Sequence, residues 1–166
     1  EHGRAYLFGR AFSAACRQCG YDTALCFLAG LLADIGRLAL VALLADLGRD
    51  RSLPPRHELL ILVDDFHAQA GEATIRRWEL ADELAMVARW HHTPGEAELC
   101  DDALLSKKML HVACACDWLL ESAAEGYAVL SMPLIGTPAA AAGLGHEQLP
   151  LIVEAIETAR IDVDTL

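Results

Sequence analysis

The chain has 166 residues, a formal net charge of −11, 54% hydrophobic residues and only 6% aromatics. That length can bury one full core, and a core drawn mainly from Leu and Ala favours close-packed helices over a sheet, which needs β-branched and aromatic residues. No run of Lys or Arg exceeds two residues, which excludes the basic footprint that phosphate-backbone binding requires.

Residues 1–19 read as a helix, with Tyr6, Leu7, Arg10, Ala11, Ala14 and Ala15 at steps of three and four and Gly20 as its stop. They contain no uninterrupted apolar segment of the kind a signal peptide carries. Asp22 or Thr23 caps the next helix. Residues 23–45, TALCFLAGLLADIGRLALVALLA, are apolar on every side of the helical wheel, with Asp34 and Arg37 as the only formal charges. This predicts one central helix buried on nearly all faces, with Phe27, Leu28, Leu31, Leu32, Ile35, Leu38 and Val41 largely buried. In lipid each mid-span charge would cost roughly 2.5–3.5 kcal/mol, with no second span to shelter it, so no membrane association is expected. A carboxylate in such a helix needs a partner: Arg37, a backbone group or a metal.

The helix frays near Gly48, and GRDRSLPPR, which begins there, is a surface connection. Residues 59–63 read as the end of a helix opened after Pro55, and separate helices follow over 64–78 and 81–92, the last stopped by Thr93-Pro94. Residues 96–102 form an acidic connection. A long helix then carries Leu104, Leu105, Met109, Val112, Ala113, Cys116 and Leu120, and residues 127–137 are loop-like. Thr137 caps a short helix beginning at Pro138 and ending at Gly143, and a last helix spans 146–161. The fold class is therefore all-α, a single compact bundle of six to seven or more helices without a sheet, occupying residues 1–166 as one domain.

Six cysteines occur. Cys16 and Cys19 lie one helical turn apart, like half a zinc site, but Cys114 and Cys116 lack the spacing for a second half. Cys16, Cys19, Cys26, Cys100, Cys114 and Cys116 are expected to be reduced core residues of a cytosolic protein. No G-x-S-x-G, Gly-rich phosphate loop or activating cysteine motif is present.

The histidines are more informative. His67 begins a face with Gly71, Thr74 and Trp78. His91 falls on the face of Leu80, Leu84 and Val87, and His92 on that of Ala81, Ala85 and Ala88. Imidazole and carboxylate groups converging from several helices are what a metal site in a bundle requires. A lone inward histidine, however, is more often a core residue bonded to a carbonyl.

GLLADIGRLAL at 30–40 resembles the GLLHDIGKL-type signature of the HD superfamily, metal-dependent phosphohydrolases named for a His-Asp doublet. His67-Ala-Gln-Ala-Gly71, Trp78-Glu-Leu and Arg89-Trp-His91-His92-Thr-Pro94 are similar to the HDOD branch of HD-related output domains, generally without catalysis. The resemblance covers about residues 2–161. It makes His2 the first ligand position, Ala33 the place of the doublet histidine, Asp34 its aspartate, and His67, His91 and His92 the later histidines. It puts the final aspartate near Cys114, with Asp117 three residues on. Ala33 cannot bind a metal, so the resemblance implies a vestigial site with no metal, cofactor or catalytic residue. Asp34 then serves as a structural acceptor paired with Arg37 or a histidine, and His67, His91 or His92 should approach it within about 2.7–3.2 Å. The implied function is a non-catalytic regulatory domain in the bacterial cytoplasm that contacts signalling proteins or domains, possible homo-oligomers included, and neither nucleic acid nor membrane. A start at Glu1 fits a piece of a longer signalling protein. The alternative implied is a metal-dependent phosphohydrolase acting on a nucleotide or cyclic dinucleotide through the reduced set His2, Asp34, His67, His91 and His92.

Overall fold

A computed structural model describes residues 2–49, 51–97, 107–124, 130, 133–134 and 136–165. Its helices in chain order are α1 (His2–Cys19), α2 (Thr23–Leu32), α3 (Ile35–Leu47), α4 (Arg56–Arg77), α5 (Asp82–Trp90), α6 (Pro94–Ala97), α7 (Lys107–Ala124), α8 (Pro138–Ala141) and α9 (Leu149–Asp164). The fold is all-α, with no strand among the described residues. Leu104, Leu105, Cys100 and most of the connections at 96–102 and 127–137 lie outside the described residues.

Several boundaries follow from the local chemistry read above. Gly20 ends α1 at φ +75°, and the Tyr21 amide donates back to the Cys16 carbonyl at 3.0 Å. Asp22 caps α2, accepting from the Ala24 and Leu25 amides, both at 2.9 Å. Thr137 caps α8 in the same way, accepting from the Ala140 amide, with Pro138 in its first turn.

The centre of the fold is α1 rather than residues 23–45. Phe8, Ala11, Phe12, Ala15 and Cys16 are each at most 1% exposed, and α1 packs against α2, α7 and α9. The expected single helix breaks at Ala33 and Asp34, where Asp34 adopts φ −94°, ψ 13° between α2 and α3. Its burial is also inverted. Cys26, Ala29, Gly30, Ala33 and Gly36 are buried, whereas Leu28, Leu38 and Val41 are exposed and Phe27, Leu31, Leu32 and Ile35 only partly covered. Residues 23–47 as a whole are apolar enough by length and composition to cross a membrane. Helices here approach along small residues, and the large side chains fall outside the crossings.

Two glycine crossings show why. A Cβ on Gly30 would lie 2.8 Å from the Gly9 Cα, closing the α1–α2 approach. A Cβ on Gly36 would collide with the His67 carbonyl and the Gly71 amide nitrogen of α4, and Gly71 in turn leaves room for the Ala88 methyl of α5. The expected break before Asp64 is absent: α4 runs unbroken through Asp64 and Asp65, so His67 lies mid-helix. Neither aspartate is a breaker when its carboxylate faces outward, and both are exposed. Pro94 begins α6 rather than simply ending α5, its missing amide being harmless in a first turn.

Cys16 and Cys26 are disulfide-bonded across the α1–α2 crossing, with Cα atoms 6.5 Å apart, which corrects the expectation of reduced thiols for that pair. Cys19, Cys114 and Cys116 are free. The glycine crossing brings the two helices close enough for the bond, which removes Cys16 from any zinc pair with Cys19.

Gly36→Ala is expected to destabilise the domain by about 3 kcal/mol or more, because its methyl meets backbone that cannot rotate away. Gly95→Ala, with nothing within 4 Å of its Cβ, should stay within about 0.5 kcal/mol. Denaturant unfolding of the two variants measures the contrast.

Candidate functional site

The break between α2 and α3 leaves the Asp34 carboxylate free to turn inward, since its side chain makes no capping bond to α3. It is 11% exposed and receives two guanidinium groups: Arg37 Nε at 3.1 Å from Oδ1 and Arg4 Nε at 3.5 Å from Oδ2. Arg37 also pairs with Asp64 on α4. Arg4, from α1, reaches on to Asp117 of α7. Asp117 is itself buried and lies 3.0 Å from His92 Nδ1.

Three imidazoles complete the cluster. His67 Nδ1 donates to the Asp64 carbonyl at 2.7 Å, and His91 Nδ1 to the Val87 carbonyl at 3.0 Å. With His92 Nδ1 on Asp117, every Nδ1 carries its proton outward and every Nε2 points into the centre. His67 Nε2 and His92 Nε2 are 3.0 Å apart. Two bare nitrogens would repel at that distance, so one proton is shared between them, and it belongs to His92. Burial alone would lower the His92 value, but the Asp117 carboxylate raises it above 6.5. His67 is lowered, first by burial. His91 Nε2 is fully buried with no hydrogen-bond partner and stands 3.8 Å from Asp34 Oδ1.

The carboxylates are held ionised. Burial works to raise Asp34, but His91 and Arg37 outweigh it and keep it well below the usual carboxylate range. Burial likewise opposes ionisation of Asp117, and His92 and Arg4 prevail.

The structure thus gathers Asp34, His67, His91 and His92, all singled out from sequence, at one point. His2 begins α1, and its side chain lies outside the described residues. The expectation that a histidine hydrogen-bonds Asp34 is not met. His67 Nε2, the nearest, is 3.5 Å away, because guanidinium groups already approach both carboxylate oxygens. Cys114, near which the resemblance puts the final aspartate, offers no carboxylate: its thiol points to the His92 carbonyl at 3.9 Å, and burial pushes its pKa up. Asp117 supplies the α7 carboxylate instead. Arg4 escaped the sequence reading altogether, because nothing local distinguishes it from Arg10 and Arg17 on the same helix.

The donor set is suited to one cation. Four ligand atoms, one from each of Asp34, His67, His91 and His92, lie within 4.8 Å of one another, and bonds of about 2.0–2.1 Å to a tetrahedral ion imply separations of about 3.3 Å. Separations of 3.0, 3.5 and 3.8 Å bracket that figure. A second ion has no comparable set among the described residues, since Ala33 offers no donor.

A family model of the HDOD domain matches residues 3–94, more than half of the chain, and it includes Arg4, Asp34, Arg37, His67, His91 and His92. The chain belongs to the HDOD family. HDOD domains are members of the HD-related superfamily. No curated protein and no solved structure matches the chain.

Asp34→Asn keeps shape and some hydrogen bonding and should cost about 1–3 kcal/mol, whereas Asp34→Ala strands two guanidinium groups and should cost about 3–5 kcal/mol. Because Asp34 and Asp117 are held below their unfolded value of 3.8, their contribution is present above that pH and lost as the pH falls further. Unfolding free energy measured against pH should therefore drop below about pH 4, and Asp34→Asn should flatten that limb. His92 acts in the opposite sense, stabilising below 6.5 and losing its contribution as the pH rises through its raised folded value. Asp117→Asn should bring the His92 titration, followed by NMR, back down.

Proposed function

We propose that this HDOD domain is a non-catalytic regulatory or output module of bacterial cytoplasmic signalling, acting through contacts with protein partners. The observation that carries the reading is the charge state of Asp34: guanidinium groups of Arg37 and Arg4 approach both of its oxygens, and its neighbour in the doublet is Ala33. A hydrolytic two-ion centre needs carboxylates free to bind metal and a complete set of imidazoles. A cluster already neutralised by its own arginines serves instead to fasten α1, α3, α4, α5 and α7 together.

Apolar side chains left exposed on α3 and α4, among them Val41, Leu43, Ile61 and Phe66, are in keeping with a role exercised through contacts. A reducing cytosol disfavours the Cys16–Cys26 bond, although both sulfur-bearing residues are fully buried and shielded from soluble thiols.

A second reading, a metal-dependent phosphohydrolase with Asp34, His67, His91 and His92 holding one ion, is favoured by the partnerless His91 Nε2. Bound there, an ion would supply Lewis-acid activation of a water or a phosphoryl oxygen. The chain itself would contribute the orientation of three Nε2 atoms, fixed by their Nδ1 hydrogen bonds.

Protein purified without chelators is expected to hold well under one equivalent of zinc, manganese or iron and to leave bis(p-nitrophenyl) phosphate intact. Stoichiometric metal together with turnover that Asp34→Ala abolishes would establish the phosphohydrolase reading instead.

A further inference from the structure

We propose that Arg4 is a built-in counter-ion that keeps divalent cations out of the Asp34, His67, His91 and His92 centre. The inference rests on the non-catalytic reading and deepens it by assigning the exclusion to one residue.

The donor geometry is not what opposes an ion. Three imidazoles have their Nδ1 atoms engaged by the Asp64 carbonyl, the Val87 carbonyl and the Asp117 carboxylate, so their Nε2 atoms are oriented in advance. His91 Nε2 is buried without any partner beside Asp34. An empty donor of this kind is costly to bury unless something comes to meet it.

What opposes an ion is charge. Arg4 lies between the two buried carboxylates, its Nε 3.5 Å from Asp34 Oδ2 and its Nη2 on Asp117 Oδ1, with Glu121 Oε1 at 3.7 Å. Among the described residues no other Lys or Arg bridges Asp34 and Asp117, because Arg37 divides itself between Asp34 and Asp64. Asp34 and Asp117 thus face Arg4, Arg37 and the protonated His92, and a divalent ion entering would meet an excess of positive charge and a guanidinium at close range. In a low-dielectric setting that repulsion is strong. A neutral side chain at position 4 removes that excess of positive charge, frees Asp34 Oδ2 and keeps all four ligand atoms. Imidazole and carboxylate donors at these separations suit zinc or a similar first-row ion.

The test uses the full chain as wild type, Arg4→Gln and Arg4→Lys, each incubated with zinc chloride and dialysed into metal-free buffer. Metal content is read by elemental analysis, and melting temperature with and without zinc gives an independent readout. Wild type and Arg4→Lys, which keeps the charge, should retain below about 0.1 equivalent, whereas Arg4→Gln should retain about one and bind zinc at least about tenfold more tightly. Its melting temperature should rise with zinc, and adding Asp34→Ala should abolish both effects. If Arg4→Gln is unfolded without metal, zinc should restore its helical circular dichroism.

A folded Arg4→Gln that takes no zinc, or an unfolded one that zinc does not rescue, overturns the proposal and leaves the non-catalytic reading standing. Equal uptake by Arg4→Lys and Arg4→Gln, or uptake that survives Asp34→Ala, also overturns it. Stoichiometric zinc in the wild type overturns the proposal and removes the support for the reading beneath it.

Discussion

One carboxylate decides how the N-terminal half of this chain is arranged. Asp34 lies in a segment otherwise apolar on every side and has too little exposure to be solvated, and α2 and α3 part at that point. Breaking the helix lets Asp34 meet Arg37 from its own segment and Arg4 from α1. The cost of burying the charge is offset by two guanidinium groups rather than by neutralisation, and the carboxylate stays ionised. Asp117 repeats the arrangement from the other side, with Arg4 and His92 as its partners.

Around that point the helices touch at their smallest residues. Gly9 meets Gly30, Gly36 meets Gly71, and Ala88 fills the remaining space. Close backbone approach brings polar side chains from α1, α3, α4, α5 and α7 within a few ångströms, which longer apolar residues at the crossings would prevent. The glycines and the charges are therefore parts of one design: the former set the distances over which the latter act.

The all-α class was legible because composition and helical periodicity are local properties, and Gly20, Asp22, Thr137 and Pro138 mark their boundaries by their own conformational preferences. The gathering of Asp34, His67, His91 and His92 was legible through motif resemblance. Burial in residues 23–47 was misread because hydropathy counts side chains, whereas the packing is set by which of them face a glycine. The roles of Arg4 and Asp117 were hidden for a different reason. Their pairing joins α1 to α7 across the whole domain, and a residue's own neighbourhood in sequence carries no trace of a partner so distant. The same holds for Cys16 and Cys26, whose bond depends on how α1 and α2 cross.

The position of Asp117 has a consequence for how the protein comes into being. The family model matches up to residue 94, and the acidic partners that Arg4 finds on α7, Asp117 and Glu121, lie beyond it. A nascent chain that has just released residue 94 from the ribosome holds Arg4 and His92 with no acidic partner on the α7 side. Until α7 has been synthesised, Arg4 lacks its contacts with Asp117 and Glu121, His92 lacks the carboxylate that raises its pKa, and the part of α1 that packs on α7 lacks its cover. Completion of the fold thus waits on α7, which lies beyond the matched residues, and an expression fragment ending at residue 94 would stop the protein at the stage a ribosome passes through.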